Sequence, residues 1–430
     1  MAGGLMQLVA YGAQDVYLTG NPKVTFFQAV YRRHTNFAME NIEQTVNGTA
    51  ANSGRVSVTV ARNGDLVADM YVEMKAASAL GAVTINAGAV SNEWVAERAI
   101  KDVELSIGGQ RIDKHYQKWW RLYSELYLDS AKKTAWGKMT TGSVVAASGA
   151  DGQVFLPLIF FFNRNPGLAL PLIALQYHEV RLDFDLSGEF ETYMDSSKTF
   201  KVWANYIYLD TEERRRFAQK GHEYLIEQVQ HTGSDTLAAA EQTKQIRLSY
   251  NHPVKELVWC ASESNQSNCA MWNFTQDADA IVSTSVANMD LTGTKVHVDA
   301  DAGNAPKLLA GQGATATAFD EETVGTIKTM KLVLNGQDRF KEQSGKYFNQ
   351  VQSYNHHSGS PMPGVYSYSF ALKPEEHQPT GTCNFSRIDN AQVSIVTAKG
   401  NTAQTTLNMF AVNYNVLRIQ SGMGGLAFSN

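Results

Sequence analysis

Apolar and polar residues alternate with a period of two in several segments of the chain. The alternation is strongest over residues 180–186, where valine, leucine and phenylalanine interleave with arginine and aspartate, and it recurs over residues 56–60. This period predicts β-strands with one buried face. Turn-forming dipeptides follow three such segments, at Asn63-Gly64, Gly108-Gly109 and Asn335-Gly336, and each can supply the positive φ of a tight hairpin. The pattern therefore predicts antiparallel strands joined by turns.

Helical spacing is rarer in this sequence. Between residues 116 and 127, aromatic side chains and one leucine recur at the spacing that places them on one face of a helix. We interpret this stripe as core packing rather than as a ligand site, because large aromatic side chains are usually buried. A second short helix is predicted over residues 211–219, with Asp210 as its N-cap and two glutamates in its first turn. This charged segment is the predicted linker between domains.

Two stretches depart from the strand pattern. Residues 139–152 are rich in Thr, Ser, Ala and Gly, and residues 277–325 contain few large apolar side chains. Such segments cannot build much core, so both are predicted to be exposed loops. A loop as long as the second one is usually functional or forms an interaction surface.

Four short sequence anchors occur in the same order in both halves of the chain. They pair Ile42-Glu43-Gln44 with Ile226-Glu227-Gln228, Gly109-Gln110 with Gly336-Gln337, Pro166-Gly167 with Pro363-Gly364, and Asn205-Tyr206 with Asn413-Tyr414. This repetition predicts two copies of one fold. Each copy would have many short strands, frequent turns and few helices. The predicted class is therefore all-β: two consecutive antiparallel jelly-roll β-sandwiches with short helices and long loop insertions.

The length and composition agree with two domains. A chain of 430 residues is too long for one ordinary hydrophobic core, and its hydrophobic content of 43% is enough for two large cores. We place the first jelly roll at residues 26–210 and the second at residues 225–430, on either side of a linker at residues 211–224.

The charge balance bears on possible partners. With 42 acidic and 37 basic residues the formal net charge is −5, so the chain lacks the positive field that binds phosphate backbones, and no direct contact with nucleic acid is predicted. A small basic patch at Arg32, Arg33 and His34 is interpreted as a solvated or interface patch. The longest apolar stretch, residues 154–162, contains Pro157 and is too short to span a bilayer.

The usual signatures of enzyme sites are missing from the sequence. It contains no P-loop, no dinucleotide-binding glycine motif, no HExxH and no GxSxG. The His356-His357 pair lies in a stretch rich in Ser, Gly and Pro and is predicted to be surface loop rather than a metal site. Cys260, Cys269 and Cys383 lack the spacing of a disulfide framework or a zinc site. We therefore predict no catalytic residue, no cofactor and no metal. Carboxylate pairs for acid–base work cannot be recognised from sequence alone.

Seven sequence blocks span the chain from its first residue almost to its last: residues 1–22, 107–115, 157–163, 166–179, 334–340, 381–390 and 413–419. Two of them read Ile107-Gly-Gly-Gln-Arg-Ile-Asp-Lys-His115 and Pro157-Leu-Ile-Phe-Phe-Phe-Asn163. These blocks resemble the double jelly-roll major capsid proteins of large icosahedral double-stranded DNA viruses, above all those of algal viruses. The resemblance covers the whole chain.

The resemblance implies a structural protein of the virion, assembled in the host cell, rather than an enzyme. Three chains would form a homotrimeric capsomer whose six sandwiches give a pseudo-hexagonal outline. Neighbouring capsomers would then tile an icosahedral shell. An N-terminal arm, residues 1–25, would contact minor capsid proteins near the inner viral membrane without spanning it, and the long second-half loop would form an outward tower.

The family also carries glycans at asparagines outside the secretory acceptor rule. The sequence Gly400-Asn401-Thr402-Ala403 is similar to such sites, which makes Asn401 a candidate glycosylation site and the chain a candidate glycoprotein. Two other classes of function stay open on the residues alone: a two-domain carbohydrate-binding β-sandwich of lectin type, and a glycan-acting enzyme without a known motif. A lectin would need clustered exposed aromatics or a calcium-binding carboxylate set in its loops. Residues 277–325 contain Phe319 as their only aromatic residue.

Overall fold

The computed structural model describes residues 3–19, 26–29, 31–77, 94–141, 152–238, 242–263, 272, 274, 281–283, 296–299, 307–308, 325–398 and 404–428. The chain divides into two compact units, Met1–Ala38 and Met39–Asn430. Within the described part of the first unit lie two short helices, α1 (Gly3–Val9) and α2 (Asp15–Thr19).

The strands described between residues 37 and 209 form two antiparallel sheets. They are β1 (Phe37–Gln44), β2 (Val46–Asn47), β3 (Arg55–Thr59), β4 (Leu66–Lys75), β5 (Ile100–Ile107), β6 (Gln110–Tyr116), β7 (Gln153–Pro157), β8 (Leu170–Pro171), β9 (Val180–Leu186) and β10 (Phe200–Leu209). One sheet has the order β1-β10-β4-β7, with β8 beside β4, and the other has the order β2-β3-β9-β5-β6. The helices of this part are α3 (Val95–Ala99), α4 (Gln117–Leu126), α5 (Ser130–Thr140), α6 (Phe161–Arg164) and α7 (Phe190–Tyr193), and α8 (Thr211–Gln219) follows β10.

These two sheets pack face to face because each has one apolar face. On β9 the alternation seen in the sequence places Leu182 and Phe184 inside, fully buried, while Arg181 is exposed. Val72 on β4 and Val202 on β10 belong to the same buried cluster. Burying a side chain of this size stabilises the fold by about 1.5–3 kcal/mol. The period-two prediction for this segment is confirmed.

The strands described between residues 222 and 428 repeat this arrangement. They are β11 (His222–Leu237), β12 (Thr243–Leu248), β13 (Pro253–Glu263), β14 (Ile281–Ser283), β15 (Val296–Asp299), β16 (Lys307–Leu308), β17 (Ile327–Leu334), β18 (Gln337–Asp338), β19 (Gln343–Ser344), β20 (Val365–Ser369), β21 (Cys383–Asn384), β22 (Ala391–Thr397), β23 (Thr405–Gln420) and β24 (Met423–Leu426). The sheets are β11-β23-β13-β20, with β21 beside β13 and β24 beside β23, and β12-β22-β17-β18, with β19 beside β17. Between β19 and β20 a π-helical turn (Tyr347–Val351) continues into helix α9 (Gln352–His356).

The second predicted loop, residues 277–325, has more structure than expected. Its described residues form a small antiparallel sheet of β14, β15 and β16. Short strands can pair with each other in this way without building a large apolar core. Most of both predicted loops lies outside the described residues.

Two of the three predicted hairpin turns are confirmed. Gly108 and Gly109 join β5 to β6 with φ of 58° and 84°, and Asn335 and Gly336 join β17 to β18 with φ of 49° and 82°. Glycine and asparagine tolerate this left-handed region at little cost. Asn63-Gly64 is not a hairpin turn, because β3 and β4, on either side of it, belong to different sheets.

The predicted duplication is confirmed at the level of strands. In one sheet of the first half, β1, β10, β4 and β7 occupy the places that β11, β23, β13 and β20 occupy in one sheet of the second half. The anchor residues Asn205 and Asn413 lie on the corresponding strands β10 and β23, but their surroundings differ. Asn205 accepts a hydrogen bond from Asn41 on an exposed face at 2.6 Å, whereas Asn413 is fully buried beside Gln228.

Candidate functional site at the junction of the two sandwiches

The aromatic stripe predicted at residues 116–127 is helix α4 and its flanks. The helix packs onto the outer face of the sheet β11-β23-β13-β20, where the rings of Trp119 and Phe410 lie 5.8 Å apart and those of His231 and Phe410 lie 4.6 Å apart. Trp119 is 3% exposed and belongs to one buried cluster with Val258 on β13. The stripe is therefore core, as expected, but the core that it builds joins the two sandwiches instead of filling one.

The sheet under α4 is apolar on both faces. Along β13, Leu257 and Trp259 belong to the core of the second sandwich, while Val258 and Cys260 belong to the cluster shared with the first half. A strand that is buried on both sides reads as a continuous apolar run. The two sandwiches consequently share a continuous hydrophobic junction. The Phe160–Phe162 run is buried in the same cluster, and Phe160 stacks on His115 at 4.3 Å.

Ion pairs cross the same junction. Arg164, at the end of α6, contacts the Glu227 carboxylate of β11 at 2.9 Å, and Lys255 of β13 contacts it at 2.6 Å. Burial alone would raise the pKa of Glu227, but the two cations outweigh burial and lower it. Burial lowers the pKa of Lys255 to about 8, with Glu227 opposing the shift. The carboxylate is ionised at neutral pH and holds a cation from each half.

A second charged cluster ties helices α4 and α5 to the second half. Lys133 contacts the Glu125 carboxylate at 2.7 Å and donates a hydrogen bond to the Ser360 carbonyl at 2.7 Å. The Met362 amide donates to the same carboxylate at 3.3 Å. These groups are almost fully buried, and the Arg121 guanidinium also contacts the Glu125 carboxylate, at 3.5 Å.

His357 was predicted to lie in a surface loop, and this prediction was wrong. Its side chain is 0% exposed, with Nε2 3.2 Å from Glu256 and Nδ1 3.3 Å from Glu375. Burial lowers the pKa of the imidazole, but the two carboxylates outweigh burial and raise it to about 9. The Tyr127 ring lies edge-on at 5.3 Å. Its neighbour His356 contacts the Leu372 carbonyl at 3.0 Å.

The edges of the two sandwiches are joined by side chains and by the end of the chain. The Asp113 carboxylate on β6 accepts a hydrogen bond from the Val229 amide on β11 at 3.0 Å. Strand β24 lies against the first half, where the Leu426 amide donates to Gln110 at 3.2 Å. Edge strands β6 and β11 thereby cover each other without pairing, which protects both from pairing with another chain.

The contacts at the junction hold the two sandwiches together. A groove of about 380 Å³ opens there, lined in part by Tyr123, Arg164 and Glu227, but the two charged groups are held in their ion pair. Within the described ranges no His, Cys, Asp and Glu side chains are grouped to hold a metal ion. Glu256 and Glu375 contact opposite nitrogens of the His357 ring and so do not converge on one ion.

The two cysteines in the described part of the chain are free thiols. Burial raises the pKa of the free Cys260 thiol to about 12, which leaves it unreactive, and Cys383 is a half-buried free thiol. Asn401 and Cys269 lie outside the described residues. No helix in the described part of the chain is both long and apolar enough to cross a membrane.

Comparisons with known proteins identify the class. The family model described as the N-terminus of the major capsid protein matches residues 25–210, and the model described as the large eukaryotic DNA virus major capsid protein matches residues 213–425. The major capsid protein of Paramecium bursaria Chlorella virus 1 is 45% identical over the full length of both chains, and that of Phaeocystis pouchetii virus is 40% identical, also over the full length of both.

Solved structures agree with the sequence comparisons. The quasi-atomic model of the PBCV-1 virus capsid matches with a TM-score of 0.75 and 40% identity, over 94% of this chain and all of that one. The Faustovirus major capsid protein matches with a TM-score of 0.67 over 97% of this chain and 96% of that one, and at 13% identity it supports the fold alone. The double jelly-roll prediction is confirmed.

The chain belongs to the major capsid protein family of large eukaryotic DNA viruses. It is a structural component of the virion shell and not an enzyme. The alternative of a two-domain carbohydrate-binding sandwich is not favoured, because the family matches extend over both halves of the chain.

Proposed function

We propose that three copies of this chain form a homotrimeric capsomer of pseudo-hexagonal outline, and that such capsomers tile an icosahedral shell. The observation that carries the proposal is the duplicated sheet order, because three chains with two like sandwiches each present six similar blocks around one axis. The buried junction supports it as well, since the two blocks of one chain are fixed to each other by a shared core. A rigid pair of blocks is what regular tiling needs.

The proposed domains are an arm at residues 1–25, jelly rolls at residues 26–210 and 225–430, and a linker at residues 211–224. The ranges of the two family models support this division. Helix α8 supports the linker, because none of its side chains is buried. We further propose that the segment at residues 277–325 forms part of an outward tower.

The proposed partners of the arm are minor capsid proteins near the inner viral membrane, which the arm does not span. The support is its exposed apolar side chains, among which Val9 is 79%, Tyr17 92% and Leu18 84% exposed. Exposed apolar groups in such number mark a surface that another molecule covers.

Light scattering at decreasing protein concentration tests the trimer. We expect a mass of three times the 47.4 kDa chain that persists on dilution to about micromolar concentration, because obligate interfaces are commonly larger than about 2,000 Å². A well-folded species with the mass of one chain would contradict the proposal.

We also propose that Asn401 carries a glycan in the virion. The support is the local sequence Gly400-Asn401-Thr402-Ala403 and its similarity to acceptor sites of the family. Intact-mass measurement of virion-derived protein, before and after Asn401→Gln, decides it. We expect a loss of at least one sugar mass beyond that of the substitution. A change equal to the substitution alone would remove the site.

A further inference from the structure

The duplication gives each half a counterpart of the surface that the other half uses at the junction. In the first half, helix α4 follows hairpin β5–β6 and covers the outer face of the sheet β11-β23-β13-β20. In the second half, the π-helical turn and helix α9 follow hairpin β17–β18 and β19. The duplication thus gives the second half a helix in the place of α4 and the first half a sheet, β1-β10-β4-β7, in the place of the covered one.

That first-half sheet carries an aromatic platform on its outer face, made of Tyr71, Phe155 and Trp203. All three side chains are partly exposed. The Tyr71 and Trp203 rings are stacked at 6.5 Å, and the Tyr71 and Phe155 rings meet edge to face at 5.8 Å. The Trp203 indole donates a hydrogen bond to Glu73 at 2.7 Å, which fixes the ring on the sheet. Aromatic groups held in this way are typical anchors of protein interfaces.

The second half presents an apolar knob, made of Val351 and Tyr354 on the helical segment and of Leu372, which follows β20. These side chains are 43%, 89% and 73% exposed. The opposite side of the same helix is fixed in the fold, where Phe348 is fully buried in the second core. The contact between His356 and the Leu372 carbonyl at 3.0 Å holds the leucine beside the helix.

A closed ring of identical chains needs heterologous contacts, in which one patch meets a different patch on the next copy. In a ring of six like sandwiches, two kinds of contact alternate. The first kind joins the first sandwich of a chain to the second sandwich of the same chain. The second kind joins the second sandwich of one chain to the first sandwich of the next chain. Helix α4 on its sheet makes the first kind of contact within the chain. We propose that the apolar knob docks onto the aromatic platform of a second copy and makes the second kind. This inference rests on the proposed trimer and names its contact surfaces.

Charge substitution tests the docking in the full chain. Tyr354→Lys and Trp203→Glu each place an unpaired charge in an apolar contact, so each should move the midpoint of trimer dissociation to a protein concentration at least about tenfold higher. The double variant pairs the two charges at every contact of the ring and should recover most of that loss. Tyr177→Lys is the matched control, because Tyr177 is 75% exposed and belongs to neither surface. It should leave the midpoint unchanged.

A covalent readout keeps the test decisive if a charged variant fails to fold. Tyr354→Cys combined with Tyr71→Cys should give disulfide-linked trimers on mild oxidation, while each single variant should not. Unchanged dissociation in the charged variants, or no linked species in the double cysteine variant, would overturn the docking while an intact wild-type trimer upholds the proposed function. A monomeric wild type would instead overturn the proposed function itself.

Discussion

The buried His357 between two carboxylates makes the stability of the protein depend on pH in a definite direction. Its pKa is raised from 6.5 to about 9 because Glu256 and Glu375 stabilise the imidazolium. A tenfold change in proton affinity is worth about 1.4 kcal/mol. The protonated His357 and its two carboxylates, which we call the histidine clamp, therefore contribute about 3 kcal/mol to the free energy of unfolding. This is a sizeable share of the about 5–15 kcal/mol that holds a typical domain folded.

The pH window follows from the direction of the shift. Below about pH 6.5 both the folded and the unfolded chain carry the proton, so the whole contribution is present. Between about pH 6.5 and 9 only the folded chain keeps the proton, and the free energy of unfolding falls as the pH rises. Above about pH 9 the contribution is lost.

Comparison of the wild type with His357→Gln isolates this effect from other titrations, such as that of Lys255. Urea unfolding at fixed protein concentration should show the variant less stable by about 3 kcal/mol at pH 6 and by much less at pH 9.5. His356→Gln is the matched control and should show the same small difference at both values. If the free energies of unfolding of wild type and His357→Gln differed by the same amount at both pH values, the proposed contribution of the histidine clamp would be refuted.

The packing at the junction leads to two further predictions. Trp119→Ala should lower the free energy of unfolding by about 3–5 kcal/mol, because it leaves a cavity between the two sandwiches; urea unfolding measures the loss, and a change below about 1 kcal/mol would contradict the shared core. In a variant with Cys269→Ser and Cys383→Ser, the remaining Cys260 should not react with a thiol reagent at pH 8 until urea unfolds the chain, since burial raises its pKa to about 12. Labelling of the folded protein would show that the junction opens.

Local patterns predicted local structure well. Residues 180–186 form a strand, residues 211–219 form a helix, and the stripe at 116–127 contains helix α4. These succeed because period and turn chemistry act over a few residues. Asp210 is a partial exception: it occupies the N-cap position of α8, but its side chain makes no capping hydrogen bond.

The contacts that the sequence could not predict join residues that are far apart along the chain. His357 and Glu256 are far apart along the chain, and nothing in the Ser-, Gly- and Pro-rich stretch around His357 signals that a carboxylate meets it. The same holds for Arg164 and Glu227. The stripe on α4 could be assigned to a core, but only the folded topology shows which sheet it covers.

The double-sided burial of β13 and β23 limits how such a chain can be recombined. If the second sandwich were produced alone, Val258 and Phe410 would face water and invite aggregation. A half taken from another virus would also have to match the shape of helix α4. The two copies, once duplicated, have therefore become mutually dependent, and exchange between related viruses should succeed with whole chains more readily than with single sandwiches.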